Sequence, residues 1–421
     1  MSSRPMHPRS TFGRRRFLVS GAVAAGALAL ATPMPAGAEP AVPRWLDRLF
    51  FDFQLRRLLG EAPLGGANVA EVVAAVQEIG PSPSAQAWVR AFAALGRDLA
   101  RQSADMIASD PNGAAATALR AANYLRAAEF FVEPLGSSLD TKIALYREMR
   151  QSFAIGTRGQ RIEAVQIPYE NTVLDAYYVR PDGVADATHP AVVFFGGLDS
   201  VGEELYLWAG KELARNGIGA LLVDGPGNGA SLRFRGILSR YDYEAATAAA
   251  VDFLGRDPKV DPDRIGLIGI SLGGYYAARS AAFEHRVRAT VVWGAIWDES
   301  EILASRSDIE TKFFLAQYGT WVFGGGNPVR AFIDARRFTI APVAHLIRNP
   351  ILIIHGADDA LVPVSQAQQL YDAVQAPKAL HQAPKALHVV PSGRPGSAHC
   401  QADHIPAAWE VMIPWLLDQL T

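Results

Sequence analysis

The sequence predicts an α/β protein: a mostly parallel, doubly wound sheet preceded by an all-helical amino-terminal domain and interrupted by a cap insertion. Three observations carry that expectation. Short, nearly continuous apolar runs recur from residue 191 onward with helical stretches between most of them; residues 45 to 155 show helical periodicity instead; and one apolar run ends in Gly269-Ile270-Ser271-Leu272-Gly273. Continuous apolar runs are expected of strands buried on both faces, as in a parallel sheet covered by helices.

In chain order, residues 1–38 are first set apart as a targeting segment. Arg14-Arg15-Arg16-Phe17-Leu18 heads an Ala/Gly-rich run to Ala31, and Ala36-Gly37-Ala38 offers a small-residue cleavage site. Adjacent arginines followed by Phe-Leu resemble a twin-arginine signal. That implies handling by twin-arginine export machinery, cleavage after Ala38 and a periplasmic or secreted destination. The apolar stretch, about 15 residues, falls short of the roughly 20 that cross a bilayer, so no stable membrane anchor is expected.

Residues 39–158 read as a helical domain. Trp88, Phe92, Leu95, Leu99 and Met106 share one helical face, and Ala118, Ala121, Leu125, Ala128 and Val132 repeat the pattern before Pro134. Such stripes are what a helix buries, so they are assigned to core. Residues 159–421 then form the sheet domain. Val165, Ile167 and Tyr169 alternate, Glu170-Asn171 turns, and Leu174, Ala176 and Tyr178 alternate again, which predicts an antiparallel hairpin. Strands are expected at Ala191 to Phe195, Ile218 to Val223, Ile265 to Ile270, Val287 to Trp293, Ile351 to Ile354 and Ala386 to Val390. Residues 297–347, rich in aromatics such as Phe313, Phe314, Tyr318, Trp321 and Phe323, read as a cap over the sheet's carboxyl edge, where parallel sheets place ligands. Gly324-Gly325-Gly326 is either a point of cap movement or a plain loop. The heptapeptide QAPKALH at 375–381 recurs at 382–388, too short for a structural repeat, and lengthens the loop before the last strand.

Composition narrows the classes of function. Setting aside five arginines in residues 1–38 leaves 35 basic against 42 acidic residues, a formal charge of −7, so a basic nucleic-acid footprint is absent. Cys400 is the only cysteine, which excludes an intramolecular disulfide. With 49% hydrophobic residues, the chain has ample material for a large core. Oligomeric state is open, a homodimer included.

The chemistry centres on Ser271. A serine on a sharp strand-to-helix turn projects its hydroxyl at the top of a sheet, which makes Ser271 a candidate nucleophile. A hydroxyl needs an adjacent base, and the base needs an acid to hold its tautomer. Both partners lie downstream, in the order Ser, acid, His. In Ile353-Ile354-His355-Gly356-Ala357-Asp358-Asp359, a strand runs into a turn, and Asp359 is favoured over Asp358 because it stands just before an apolar-Val-Pro segment. His399, in the loop after the final strand, is favoured as base over His404 near the last helix; His355 reads as structural, and His381 and His388 belong to the duplicated segment. The oxyanion formed on attack needs two N–H donors, assigned to Leu272 and to Gly197 or Leu198 in the loop after Phe194-Phe195. Gly225-Pro226-Gly227-Asn228-Gly229-Ala230 loosely fits a dinucleotide loop, but Pro226 removes an N–H and no clear helix opens at Ala230, so no cofactor is expected. His399, Cys400 and His404 match no standard zinc spacing, so no metal is expected.

With these residues placed, residues 160 to 421 resemble the α/β-hydrolase superfamily. More narrowly, the chain resembles the group containing 2,6-dihydroxypseudooxynicotine hydrolase and fungal polyketide-shortening hydrolases. The features carrying that resemblance are the helical domain, Gly196-Gly197-Leu198-Asp199, the Gly-x-Ser-Leu-Gly-Gly elbow, Val292-Trp293-Gly294 and His399-Cys400. The resemblance implies a helical domain packed over the site and hydrolysis of an ester, or of a carbon–carbon bond beside a ketone, in a small-molecule substrate. It also implies an additional acid after the Trp293 strand, where Asp298, Glu299 and Glu301 all stand. The twin-arginine segment and the duplicated heptapeptide depart from that group's pattern. Two rival readings are a peptidase related to the prolyl oligopeptidases, whose accessory domain is a β-propeller, and an inactive hydrolase-fold binding protein.

Overall fold

The structure is a computed structural model that describes residues 45–183, 188–305, 308–375 and 385–420. The targeting segment, residues 1–38, and residues 376–384 of the duplicated heptapeptides lie outside the described residues. Of the second copy, Lys385–His388 forms the start of the last strand rather than loop.

Five helices come first: α1 (Leu49–Glu61), α2 (Val69–Ile79), α3 (Ala85–Met106), α4 (Pro111–Phe130) and α5 (Leu139–Gly156). Their starts are written locally. The side chains of Asn68, Ser84 and Asp110 accept from the first free amides of α2, α3 and α4, and Pro111 opens α4 where no N–H is needed. Trp88, Phe92 and Leu99 of α3 and Ala118, Ala121, Leu125 and Ala128 of α4 are buried. Helices here contain no propeller blades.

The sheet follows: β1 (Ile162–Tyr169), β2 (Thr172–Val179), β3 (His189–Phe195), α6 (Gly202–Leu205), α7 (Lys211–Arg215), β4 (Gly219–Asp224), α8 (Gly229–Arg235), α9 (Glu244–Leu254), β5 (Val260–Ile270), α10 (Leu272–Ala281) and β6 (Ala289–Trp293). The cap holds α11 (Glu299–Ser305), α12 (Ile309–Gly324) and α13 (Pro328–Ala335); β7 (Ile351–Gly356), α14 (Val364–Ala373), β8 (Lys385–Val390) and α15 (Pro406–Gln419) complete the chain. The strand order is β1-β2-β4-β3-β5-β6-β7-β8. The β1–β2 hairpin and the β2–β4 pair are antiparallel, and every pair from β4 through β8 is parallel. Strands β3, β4, β6 and β7 are buried at every residue, which is why they read as continuous apolar runs.

Two sequence expectations are corrected. A helix does open after Gly225–Asn228: it is α8, and its first turn is filled by this chain's own carboxylate, because the Ala230 amide donates to Asp224 Oδ2 at 2.8 Å. Asp224 thereby stands where a dinucleotide's phosphates would be held. Gly325, in the left-handed region at φ 60°, ends α12, its amide bonded to Trp321 O, so the glycine run is a helix stop leading into α13.

The strand order reverses between β3 and β5, which lie side by side although β4 separates them in sequence. The loops leaving two such strands open a crevice at the sheet's carboxyl edge. Every group of the candidate site converges there.

Candidate active site

Strand β5 ends at Ile270, and α10 begins at Leu272, so Ser271 alone makes the turn, at φ 57° and ψ −120°. A side chain rarely adopts that conformation, and the surroundings hold it there: the Ser271 amide donates to Trp293 O at 2.7 Å, and the Gly274 amide to Ser271 O at 2.7 Å. The elbow glycines are required by contact. A Cβ on Gly269 would stand 1.8 Å from Gly273 O, and one on Gly273 would stand 2.6 Å from Phe195 O.

The acid and base loops are joined to each other. The Asp358 amide donates to Ser397 O at 2.9 Å, and Gly356 has no room for a Cβ against the same carbonyl. Asp359 Oδ2 receives His399 Nδ1 at 2.6 Å, and His399 Nε2 stands 2.8 Å from Ser271 Oγ. The other Asp359 oxygen accepts from the amides of Leu361 and Val362 at 2.9 and 2.8 Å. Burial raises the pKa of this carboxyl, but His399, with smaller help from His355 and the Val362 amide, overcomes it and holds it below its ordinary range. Burial likewise disfavours the His399 imidazolium; the Asp359 charge reverses that and places the imidazole well above its ordinary range.

Asp358, the other aspartate of the pair, braces the loop instead, accepting from Ser392 and Ser397 hydroxyls and the Gly393 amide. His355 is buried with its Nε2 2.9 Å from Val362 O and 3.3 Å from Asp359 Oδ2, so it supports the acid. Cys400 and Gln401 follow His399 in left-handed conformations, at φ 52° and 54°, and the Gln401 amide oxygen accepts from Trp293 Nε1 at 2.6 Å, tying the histidine loop to the end of β6.

The loop after β3 touches the serine. A Cβ on Gly197 would lie 2.9 Å from Ser271 Cβ. The Gly197 amide is already engaged, donating to Ser200 Oγ at 3.0 Å, which removes it as an oxyanion donor. Among the described residues, the amides of Leu198 and Leu272 donate to no other protein group, and both residues line the cavity over Ser271. Asn228, from the Gly-rich loop that loosely fits a dinucleotide motif, donates its side-chain amide to Gly197 O and so braces this loop.

The cavity has a volume of about 330 Å³ and is roofed by the cap and the helical domain. Phe50, Phe53, Gln54 and Arg57 line it at helical spacing from one face of α1. The Phe53 ring lies 6.0 Å from that of His399. The sequence places this segment in the helical domain but does not single out its cavity face, whose signal is an otherwise apolar stripe that turns polar at Gln54 and Arg57. Of the three acids after Trp293, only Glu299 lines the cavity. Asp298 caps α11, accepting from the amides of Ser300 and Glu301, and Glu301 accepts from Gln366 Nε2 at 2.9 Å. His404 does not line the cavity, and among the described residues no three His, Cys, Asp or Glu side chains form a metal-holding group.

Residues 84–312 match the family described as esterase FrsA-like, which is more than half of the chain. The chain belongs to the FrsA-like esterase family. The chain is 31% identical over 380 residues to the hydrolyase ccsE of Aspergillus clavatus, covering 77% of the chain and 86% of that protein. It is 34% identical to the hydrolase acrC of Aspergillus aculeatus over 61% of the chain, and spans 64% of acrC's length. In fold it is similar to the crystal structure of 2,6-dihydroxy-pseudo-oxynicotine hydrolase, with a TM-score of 0.67, 24% identity and coverage of 86% of this chain and 95% of that one. It is therefore an esterase-like hydrolase of the α/β-hydrolase fold.

Proposed function

We propose that this esterase-like hydrolase is a serine hydrolase that cleaves an ester, or a carbon–carbon bond beside a ketone, in a small and largely apolar substrate through an acyl-enzyme. One observation carries the reading: Ser271 Oγ, His399 and Asp359 are joined by hydrogen bonds of 2.8 and 2.6 Å on the wall of an apolar cavity. Ser271 attacks the substrate carbonyl as His399 Nε2 takes its proton, and Asp359 stabilises the imidazolium. The amides of Leu272 and Leu198 receive the oxyanion. His399 then returns the proton to the leaving alcohol or enolate carbon, and water, activated by the same base, releases the acid and restores Ser271.

Glu299 favours the carbon–carbon variant of this reading, because a carbon leaving group needs prompt protonation and Glu299 lines the cavity. Esters need no such second acid. The segment Arg14-Arg15-Arg16-Phe17-Leu18 further supports twin-arginine export of the folded enzyme to the periplasm or medium, with processing after Ala38 to be read by amino-terminal sequencing of the exported chain.

The test is trapping. A serine-directed phosphonate is expected to add once, at Ser271, as located by mass spectrometry, and Ser271→Ala is expected to lose both the adduct and turnover of short acyl esters. Equal turnover in parent and variant would end the serine reading. A parallel screen of aryl esters against β-diketones separates the two bond types, and Glu299→Gln is expected to impair the diketones selectively.

A further inference from the structure

We propose that Arg57, on α1 of the helical domain, is a positioning residue for the oxyanion loop, so that the helical domain is part of the catalytic apparatus. The inference rests on the serine-hydrolase reading above and deepens it.

One guanidinium grips the loop at two points. Arg57 Nη1 bonds Asp199 Oδ2 at 2.7 Å, while Nε and Nη2 form a two-pronged pair with Glu204 at 2.8 and 2.6 Å. Asp199 is the residue after Leu198, and Glu204 lies in α6, on the far side of the loop. These partners are 142 and 147 residues from Arg57 in sequence, so no local structure requires the contact. The start of the loop is fixed by other contacts: Ser200 Oγ, within the loop, holds the Gly197 amide at 3.0 Å, and Asn228 holds the Gly197 carbonyl. The Asp199 carboxylate is the group through which α1 restrains the residue immediately after Leu198, while Asn228 makes a longer contact, 3.5 Å, with the Ser200 carbonyl beyond it.

Burying such a cluster is an expensive way to stabilise a fold. Arg57 and Glu204 have side chains 6% and 2% exposed, and ion pairs taken out of water are often no more stabilising than apolar residues of the same volume. What a planar two-pronged pair provides is direction. Direction matters here because Gly197 is packed against Ser271, leaving no space even for a Cβ, so a small displacement of Leu198 shifts its amide relative to the oxygen that forms on attack. An ångström of misplacement in such a site costs up to about a hundredfold in rate. Asp199 stays ionised: burial disfavours its charge, but Arg57 outweighs that and holds its carboxyl below the ordinary range. Elsewhere in the same buried network, Glu61 is bonded to Trp208, Asn123 and Arg126 and does not touch the loop.

That difference supplies the experiment, run on the full chain with p-nitrophenyl acetate as substrate, diisopropyl fluorophosphate as trapping agent and phenylboronic acid as mimic of the tetrahedral intermediate. Asp199→Asn keeps the Arg57–Glu204 pair and loosens only the loop. It is expected to lower kcat by roughly tenfold to a hundredfold with KM within about threefold, and to weaken boronate binding in parallel. Arg57→Lys, which keeps the charge but not the fork, is expected to fall between parent and Asp199→Asn, and Glu61→Gln to lower the melting temperature with kcat unchanged. The proposal is overturned if Asp199→Asn leaves kcat and boronate affinity unchanged, if it raises KM alone, which would make Asp199 a substrate contact, or if Glu61→Gln lowers kcat as much, which would make the effect one of general stability. A parent protein that neither turns over the ester nor forms a Ser271 adduct would overturn the serine reading itself and this proposal with it, and is told apart from the other outcomes by the parent alone.

Discussion

Cys400 Sγ lies 3.4 Å from His399 Nε2, the same nitrogen that stands 2.8 Å from Ser271 Oγ. Two potential nucleophiles therefore share one base, and burial decides between them. The thiol is 2% exposed, its pKa is raised by desolvation in spite of His399, and it also faces Trp293 O at 3.6 Å. A neutral buried thiol is a poor nucleophile, so Ser271 is the group that the base activates. Its position gives it another consequence.

Methyl methanethiosulfonate is expected to modify Cys400 slowly and to abolish ester turnover in proportion to labelling, because the added group occupies the space beside His399 Nε2. Cys400 is the chain's only cysteine, so stoichiometry is read directly by intact mass. Cys400→Ala, whatever its own rate, is expected to lose no further activity on treatment. A fully labelled protein that still turns over would show that the thiol's side of His399 is not used.

Asp359→Asn is expected to lower kcat by about a thousandfold or more and to move the acid limb of the pH–rate profile downward. The base must be neutral to take the Ser271 proton, so activity is lost as pH falls through the His399 pKa. Asp359 holds that pKa above the ordinary 6.5, which places the parent's limb above 6.5; with its charge gone, burial, the largest influence, lowers the pKa against the smaller opposing effect of Cys400. Asp358→Asn is expected to leave the limb in place, to change kcat less than about tenfold and to cost about 1–2 kcal/mol of stability, since its oxygens hold Ser392, Gly393 and Ser397. Kinetics on both variants across pH, with denaturant melts, makes the comparison.

Much of this architecture is legible in the sequence because parallel strands buried on both faces have no polar side to disguise them. The runs 191–195 and 351–354 lie within β3 and β7, the run 218–223 overlaps β4 from residue 219, and the chain order Ser271, Asp359, His399 leads to three side chains that the fold brings into hydrogen-bonding distance. What was not legible depends on where a short segment is turned by distant contacts. Asp298, Glu299 and Glu301 are equivalent in sequence, and Gln366, on α14, takes the Trp297 and Asp298 amides and Glu301 while Glu299 faces the cavity. Gly197 differs from Leu198 only because the Ser200 hydroxyl reaches back to its amide. Arg57 had no motif at all, since its partners are set by tertiary packing.

A buried carboxyl away from the serine should report on stability rather than rate. Glu203 has its pKa raised to about 7 by desolvation and by Asp224, with Arg150 and the Tyr177 hydroxyl opposing. Its folded pKa exceeds the ordinary 4.5, so between about 4.5 and about 7 the folded chain binds the proton more tightly than the unfolded one, and stability falls as pH rises through that window. Glu203→Gln is expected to remove this component: the parent's stability minus the variant's, from denaturant melts, declines from pH 4.5 to pH 7. A difference that stays flat or grows would overturn the assignment.

Lys142 ties the helical domain to the cap, and it is the substitution expected to cost most stability outside the site. Its ammonium is fully buried at the end of α4, where it donates to the carbonyls of Glu129 and Val132 at 2.7 and 3.3 Å and pairs with Glu129 Oε1 at 3.3 Å. Tyr318 and Trp321 of α12 lie over it at 4.9 and 5.6 Å. Lys142→Met keeps the volume and leaves Glu129 its contact with Arg233 at 2.8 Å, but strips donors from the last carbonyls of α4, so a loss of about 2–4 kcal/mol is expected. The sign of the pH dependence is distinctive. Burial lowers the Lys142 pKa to about 8 against Glu129's opposing charge, below the ordinary 10.5, so between those values the unfolded chain holds the proton more tightly and the parent gains stability as pH rises. The gap between parent and Lys142→Met is therefore expected to widen from pH 8 to pH 10.5 in denaturant melts. A gap that narrows would mean that the charged form is the one the fold prefers, and the clasp would then be an ion pair first and a helix cap second.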